Sequence, residues 1–146
     1  LQAGGEIDFN YNYKIELSAE DKNSLDSIEE VIREHRNQPI SLNYVIETTR
    51  YNPKRVGDLM HVLIENGKAE SLGDNLFMHI EHLKHLKKII NEYFKDKDSL
   101  NISDFKKLTG LTRKTAIPLL EYLDKKKYTI RSGNVRIMGE SNEKRN

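Results

Sequence analysis

One order of short segments occurs twice along this chain of 146 residues, and it limits the possible folds more than any single motif. Each copy begins with an amphipathic helix, continues through a short extended link and two further helices, and ends in a β-hairpin. Ser41 recurs as Ser103 and Asn75 as Asn134, at separations of 62 and 59 positions. Two short helices followed by a hairpin are typical of a winged helix-turn-helix. We therefore predict a mostly α fold with small β-hairpins (α+β), built as tandem winged helix-turn-helix domains.

The residues before the first copy have a different period. From Ile7 onward the apolar residues alternate, which predicts a strand with one buried face, and Gly4-Gly5 just before it indicates a hairpin turn. We interpret this stretch as the end of a preceding module and the chain as a fragment. The predicted segments are the end of that module (1–17), a structural winged helix (18–82), a second winged helix (83–139) and a disordered tail (140–146).

Local signals place the helix ends. The residues that we expect as N-caps are Ser18 (with Asp21, in a capping box), Ser41, Asn52, Ser103 and Thr112. Pro118 lies inside the helix that follows Thr112, and the apolar period continues through it. We therefore expect a kink in that helix rather than a late start.

The composition excludes several classes of protein. The chain contains no Cys, which rules out disulfides, thiolate zinc sites and a cysteine nucleophile. The mean hydropathy is -0.73, and neither a membrane-length apolar run nor a signal peptide is present, so we expect a cytoplasmic protein with no membrane partner. Phosphate-loop, dinucleotide, serine-hydrolase and zinc-protease motifs are all absent. We expect neither an enzyme nor a cofactor site.

The net charge of +1 conceals a strong asymmetry. Residues 1–82 contain eight basic and fifteen acidic residues, whereas residues 83–146 contain sixteen basic and eight acidic ones. The halves therefore carry net charges of −7 and +8. Such asymmetry suggests that the second half meets a polyanion and the first does not.

The cations of the second half fall on three elements that a winged helix gathers on one side. They are Arg113 and Lys114 at the start of the recognition helix, Lys106 and Lys107 on the preceding helix, and Arg131 and Arg136 beside the turn of the wing. An isolated lysine pair usually marks a solvated face. Convergence of three pairs in a domain of charge +8 instead favours nucleic-acid binding, with the helix N-terminus also attracting phosphate.

The first copy has a similar cation pair, Lys54-Arg55, after Asn52-Pro53. Because that module is acidic, we predict a structural role there, as a spacer or a docking surface. The three histidines at positions 79, 82 and 85 spread over about 120° of a helix, which is poor geometry for one metal ion. We expect surface histidines and no metal.

Residues 102–138 resemble a known family. The runs SDFKKLTG (103–110) and RKTAIPLLEYLD (113–124), and the wing TIRSGNVRI (129–137), are similar to the last winged helix of SelB, the bacterial elongation factor dedicated to selenocysteine. Residues 18–82 are more loosely similar to the preceding winged helix of that family. The family usually has a second basic residue where Ile130 stands, so the wing departs from the family pattern at this position.

The resemblance implies a function that composition does not. The last winged helix of SelB binds the SECIS hairpin of selenoprotein messenger RNA and tethers the factor for recoding of UGA, while GTP and selenocysteyl-tRNA bind to N-terminal domains. It implies a monomer that reaches the ribosome through the full-length factor. The RNA-binding role is carried over to matching positions, namely Arg113, Lys114, Thr115, Arg131, Asn134 and Arg136, beside Lys106 and Lys107.

Two alternatives stay open. A transcription regulator would insert the recognition helix into the major groove of DNA and prefer a duplex to an RNA hairpin. A protein-docking scaffold, suggested by the acidic first module, would show no salt-dependent binding of polyanions.

Overall fold

A computed structural model describes residues 6–8 and 14–140, with side chains from Leu17 onward. Two short strands come first, followed by the two copies of the predicted motif. The elements are β1 (Glu6–Asp8), β2 (Lys14–Glu16), α1 (Ala19–Glu34), β3 (Ile40–Ser41), α2 (Leu42–Thr49), α3 (Pro53–Glu65), β4 (Ala69–Gly73), β5 (Leu76–His79), α4 (Ile80–Asp96), α5 (Ile102–Thr109), α6 (Arg113–Lys125), β6 (Thr129–Ser132) and β7 (Val135–Met138).

The predicted repeat is confirmed. In the first module β3, β5 and β4 form a three-stranded sheet in that order, and in the second module β6 pairs with β7. Leu100 forms an isolated antiparallel bridge with Arg136, where the first module has β3. Both modules are therefore winged helices, and the fold is mostly helical with small antiparallel sheets.

The prediction for the first residues was wrong in part. A single strand was expected from Ile7 to Leu17, but β1 and β2 pair antiparallel with Ile7 opposite Ile15. Alternation along a sequence shows which residues share a face, but it cannot show whether the chain reverses within the alternating stretch. The predicted turn at Gly4-Gly5 lies outside the described residues.

The helix starts of the first module are confirmed. Ser18 Oγ accepts a hydrogen bond from the Asp21 amide at 3.0 Å, and the Asp21 carboxylate accepts one from the Ser18 amide. The backbone hydrogen bond from Ser18 is the main reason that the pKa of Asp21 lies below its ordinary value. Ser41 caps α2, and Asn52 caps α3 with Pro53 as its first residue.

The second module departs from the prediction at one helix start. Asn101, not Ser103, caps α5, because its Oδ1 accepts from the Asp104 amide at 2.7 Å. Two capping residues lie within one turn of each other, and local sequence cannot separate them. The helix α6 runs without interruption through Pro118, so it does not start late.

Each module has its own hydrophobic core, but the first wing contributes to the second core. Leu72 and Met78 of β4 and β5 pack with Leu83 and Leu86 of α4. No linker separates the modules, since β5 ends at His79 and α4 begins at Ile80. The first wing is therefore part of the junction between the modules.

Hydrogen bonds also join the modules. Asn37 Nδ2 donates to the Thr109 carbonyl at 3.2 Å, and the Tyr122 hydroxyl donates to the Glu70 carboxylate. Burial, and then the bond to Glu70, raises the pKa of Tyr122, so the phenol stays protonated and can donate. These contacts hold α5 and α6 against the first module.

The histidines at this junction differ from the expectation. His79 is 1% exposed, its Nε2 lies 2.9 Å from the Glu29 carboxylate, and its Nδ1 accepts from the Glu81 amide to cap α4. His82 is half-buried and bonds to the Arg33 carbonyl, whereas His85 is exposed. The prediction of surface histidines was therefore wrong for His79, because β5 packs against α1 and places His79 beside Glu29. Within residues 17–140, no group of acidic and histidine side chains is arranged to hold a metal ion.

Gly139 is the last residue of the predicted second module, and the predicted disordered tail begins at the next residue. Its amide donates to the Tyr128 carbonyl at 3.0 Å, and a Cβ at this position would lie 2.3 Å from the Lys127 carbonyl oxygen. Glycine is thus required by a close backbone approach. Most of the predicted tail, residues 141–146, lies outside the described residues. None of the described helices is long and apolar enough to cross a membrane.

Candidate nucleic-acid interface

The start of α6 presents two cations to solvent. Arg113 and Lys114 are both exposed, and neither has an ion pair or a side-chain hydrogen bond within the described part of the chain. The opposite face of the helix consists of Ala116, Leu119 and Leu120, which are buried as predicted. The pair is therefore free to contact a ligand. Because the other face of α6 is buried, both side chains are held on the solvent side of the helix.

The backbone at this helix start is also available. Thr112 occupies the N-cap position, but its side chain makes no capping hydrogen bond. Thr115 bonds only locally, with its hydroxyl and its amide both directed to the Thr112 carbonyl. The amides of the first turn therefore lack a side-chain acceptor, and such amides bind anions such as phosphate.

The preceding helix supplies further positive charge. Lys107 is exposed and Lys106 is half-buried at the end of α5, and neither has an ion-pair partner among the described residues. The helices α5 and α6 pack against each other, with only Gly110 to Thr112 between them. Both lysines are thus held on the helix that packs against α6.

The second wing is exposed along most of its length. Arg131 and Asn134 are exposed, and Arg131 Nε donates to the Gly133 carbonyl at 3.2 Å within the turn. Ile130 pairs with Ile137 across the strands, and they are 40% and 39% exposed. The wing therefore offers a cation, an amide and an aliphatic pair to a ligand.

Arg136 does not lie on this surface. It is 4% exposed, and its guanidinium binds the Asp124 carboxylate through Nε and Nη2, with the shortest distance 2.8 Å. Thr129 Oγ1 donates to the same carboxylate at 2.7 Å. The expectation that Arg136 would face a ligand is corrected by this placement, because the bridge to Leu100 turns it toward α6. Its position indicates a structural role.

The equivalent pair of the first module is neutralised. Lys54 Nζ lies 3.2 Å from the Asp58 carboxylate, and Arg55 lies 3.2 Å from Asp21 and donates to Ser24 Oγ at 2.7 Å. The Asn52 side chain accepts from the amides of both residues. Both cations therefore already have acidic partners, and the structural role of the first module stays a prediction.

Sequence analysis did not identify Tyr44 of α2. It is 40% exposed, and it is the only exposed tyrosine or phenylalanine among residues 17–140. The signal was present, because Tyr44 falls outside the apolar stripe of Leu42, Val45 and Ile46. An aromatic residue off the buried stripe of a short helix needs an explanation.

Comparison with known proteins shows a similarity in the second half of the chain. Residues 92–138, which include α5, α6 and the second wing, match the family described as "Elongation factor SelB, winged helix". The selenocysteine-specific elongation factor of Desulfomicrobium baculatum is 31% identical over 98 residues, which are 67% of this chain and 16% of that protein. The chain therefore spans a small part of the length of this curated relative.

Two solved structures have a similar fold. The mRNA-binding domain of elongation factor SelB from E. coli, solved in complex with SECIS RNA, matches with a TM-score of 0.74 at 18% identity, over 85% of this chain and 100% of that one. A bacterial selenocysteine-specific elongation factor, EF-Sec, matches with a TM-score of 0.65 at 26% identity, over 94% of this chain and 22% of that one.

Proposed function

We propose that this chain, whose second winged helix matches the SelB family, binds the SECIS hairpin of a selenoprotein messenger RNA. The observation that carries this proposal is the unpartnered pair Arg113 and Lys114 at an uncapped helix start, within the segment that matches the family. An A-form stem hides its base edges in a narrow groove, so a protein reads its backbone, its shape and its unpaired bases. Exposed cations and free amides suit that task.

The wing and α5 would extend the contact. Arg131 and Asn134 would hold a second strand, and Lys106 and Lys107 would add charge beside the helix start. Thr115 can donate its hydroxyl to a phosphate if it releases the Thr112 carbonyl, from which it lies at 3.4 Å. Arg136 contributes by holding the wing against α6.

In the full-length factor this segment would act as a tether. Binding of the hairpin would hold the factor on the message, so that selenocysteyl-tRNA is delivered at a recoded UGA codon on the ribosome in the cytoplasm. GTP binding and hydrolysis would belong to other domains of the factor, and this segment would act as a monomer without a cofactor of its own.

The test is a binding titration of this chain against three ligands at two salt concentrations. The ligands are a SECIS hairpin, the same hairpin with a scrambled loop, and a DNA duplex of equal length. We expect tight binding to the intact hairpin alone, weakening as salt rises. Preference for the duplex would support a transcription regulator instead, and absence of salt-dependent binding would support a docking scaffold.

A further inference from the structure

A cavity of about 360 Å³ lies between the two modules, directly beside the proposed RNA surface. Lys114 of α6 lines one side, and Tyr44, His35 and Gln38 of the first module line the other. The floor is apolar and includes Ile40 and Leu76. The volume is near the lower end of the range of about 300–1,000 Å³ that is typical of small-ligand sites.

The aromatic ring in this cavity is positioned and accessible. The rings of His35 and Tyr44 meet edge to face, with centroids 5.0 Å apart and planes at 75°. His35 is itself held, because its Nδ1 donates to the Val31 carbonyl at 3.0 Å. The Tyr44 ring therefore has a fixed neighbour, while 40% of the residue remains exposed.

The polar groups around the ring suit a nucleotide. Lys114 and the side-chain amide of Gln38 have no hydrogen-bond partner within the described residues. An amide can donate to and accept from the edge of a base, and an ammonium group attracts the adjoining phosphate. Although residues 1–82 carry a net charge of −7, no acidic residue among those described lines the cavity. A polyanion can therefore approach here without repulsion from the lining.

We propose that this cavity binds one unpaired base of the hairpin held by Arg113 and Lys114, with the base stacked on Tyr44. The proposal rests on the proposed function and extends it, because the first module then takes part in recognition of the RNA. The base would enter between the modules while its flanking phosphates stay on Lys114.

The experiment uses the whole chain and a SECIS hairpin in which each unpaired nucleotide is replaced in turn by fluorescent 2-aminopurine. We expect strong quenching at one position on binding to the wild-type chain, because stacking on an aromatic ring quenches this base. Tyr44→Ala should restore the fluorescence at that position and weaken binding about tenfold, whereas Tyr44→Phe should preserve both. Circular dichroism verifies that both variants are folded.

A hairpin without that nucleotide provides the matched control. We expect it to bind the wild-type chain and Tyr44→Ala equally. The base site would be overturned if the wild-type chain and Tyr44→Ala bound the intact hairpin with equal affinity. It would also be overturned if Tyr44→Ala lost the same affinity for both hairpins. If the wild-type chain binds the hairpin through Arg113 and Lys114 but Tyr44→Ala changes nothing, only this proposal fails. If the wild-type chain does not bind the hairpin, the proposed function fails as well.

Discussion

The two winged helices have the same architecture, but the structure uses their matching parts differently. The helices α3 and α6 are both 13 residues long, and Lys54 and Lys114 occupy the same second position. Lys54 is paired with Asp58 and its amide is capped by Asn52, whereas Lys114 has neither interaction. A shared fold therefore does not imply a shared site, and the partners of each cation decide which helix start can hold a phosphate.

The wings show the same contrast. Leu72 and Met78 of the first wing are buried against the second module, while Ile130 and Arg131 of the second wing are exposed. Packing thus covers one face of the first wing and leaves the second wing free for a ligand.

The largest expected effect separates the two helix starts. Replacing Arg113 and Lys114 with Ala should cost about 1–3 kcal/mol of RNA affinity for each residue, because each variant lacks one charge-assisted hydrogen bond to the RNA. Lys54→Ala, at the matching position, should change the affinity little. Filter binding at one salt concentration measures both. A larger loss from Lys54→Ala would reverse the roles assigned to the modules.

The next effect concerns two arginines of the second wing. Arg136→Ala should lower the free energy of unfolding by about 3 kcal/mol, near the lower end of the range for a broken buried ion pair. The reason for the low end is that Asp124 keeps 22% of its side chain exposed. Arg131→Ala should leave stability nearly unchanged and weaken RNA binding. Urea denaturation compares them, and equal stability of the two variants would contradict the structural role of Arg136.

A smaller effect tests the caps. Asn52→Ala should lower the free energy of unfolding by about 1 kcal/mol, because two amides lose their acceptor. Thr112→Ala should cost only a few tenths, since the threonine makes no capping bond. Thermal denaturation of both variants provides the measurement. A cost for Thr112→Ala as large as that for Asn52→Ala would mean that α6 is capped in solution.

The smallest expected effect concerns the C-terminal ends of α3 and α6. Gly67 and Lys127 both follow the helix in a left-handed conformation, with φ of 74° and 63°. Lys127→Gly should therefore stabilise the chain by up to about 1 kcal/mol, and Gly67→Ala should destabilise it by a similar amount. Nothing lies within 4 Å of a Cβ at Gly67, so the cost comes from the backbone alone. Measurement of the free energy of unfolding by urea denaturation checks both variants, and stabilisation by Gly67→Ala would refute this reasoning.

Much of the fold could be predicted from local sequence. Ser18, Ser41 and Asn52 are identifiable as caps because a capping residue acts within one turn of itself. The order of helices and hairpins follows from the two hydrophobic periods and the turn residues. Which face of α6 is buried could be predicted in the same way, because its buried residues recur at helical spacing.

The rest depends on interactions between distant residues. Burial of His79 arises from Glu29, which lies 50 positions earlier, and Arg136 turns inward because Leu100 and Asp124 meet it. Tyr44 becomes significant only because α6 brings Lys114 to the same cavity. Composition and spacing could identify the charged half, but they could not show which of its cations are already paired.

The most direct test of the central claim is the salt dependence of hairpin binding for three proteins. They are the wild-type chain, the double variant Arg113→Ala with Lys114→Ala, and a control with Lys84→Gln and Lys88→Gln, two exposed lysines of α4 that have no ion-pair partner among the described residues. Removal of one cation that binds a phosphate should reduce the slope of log K against log salt by about 1. We predict a slope reduced by about 2 in the first variant and unchanged in the control. Equal reductions in both variants would mean that the basic half binds RNA through charge alone, without a defined site at α6.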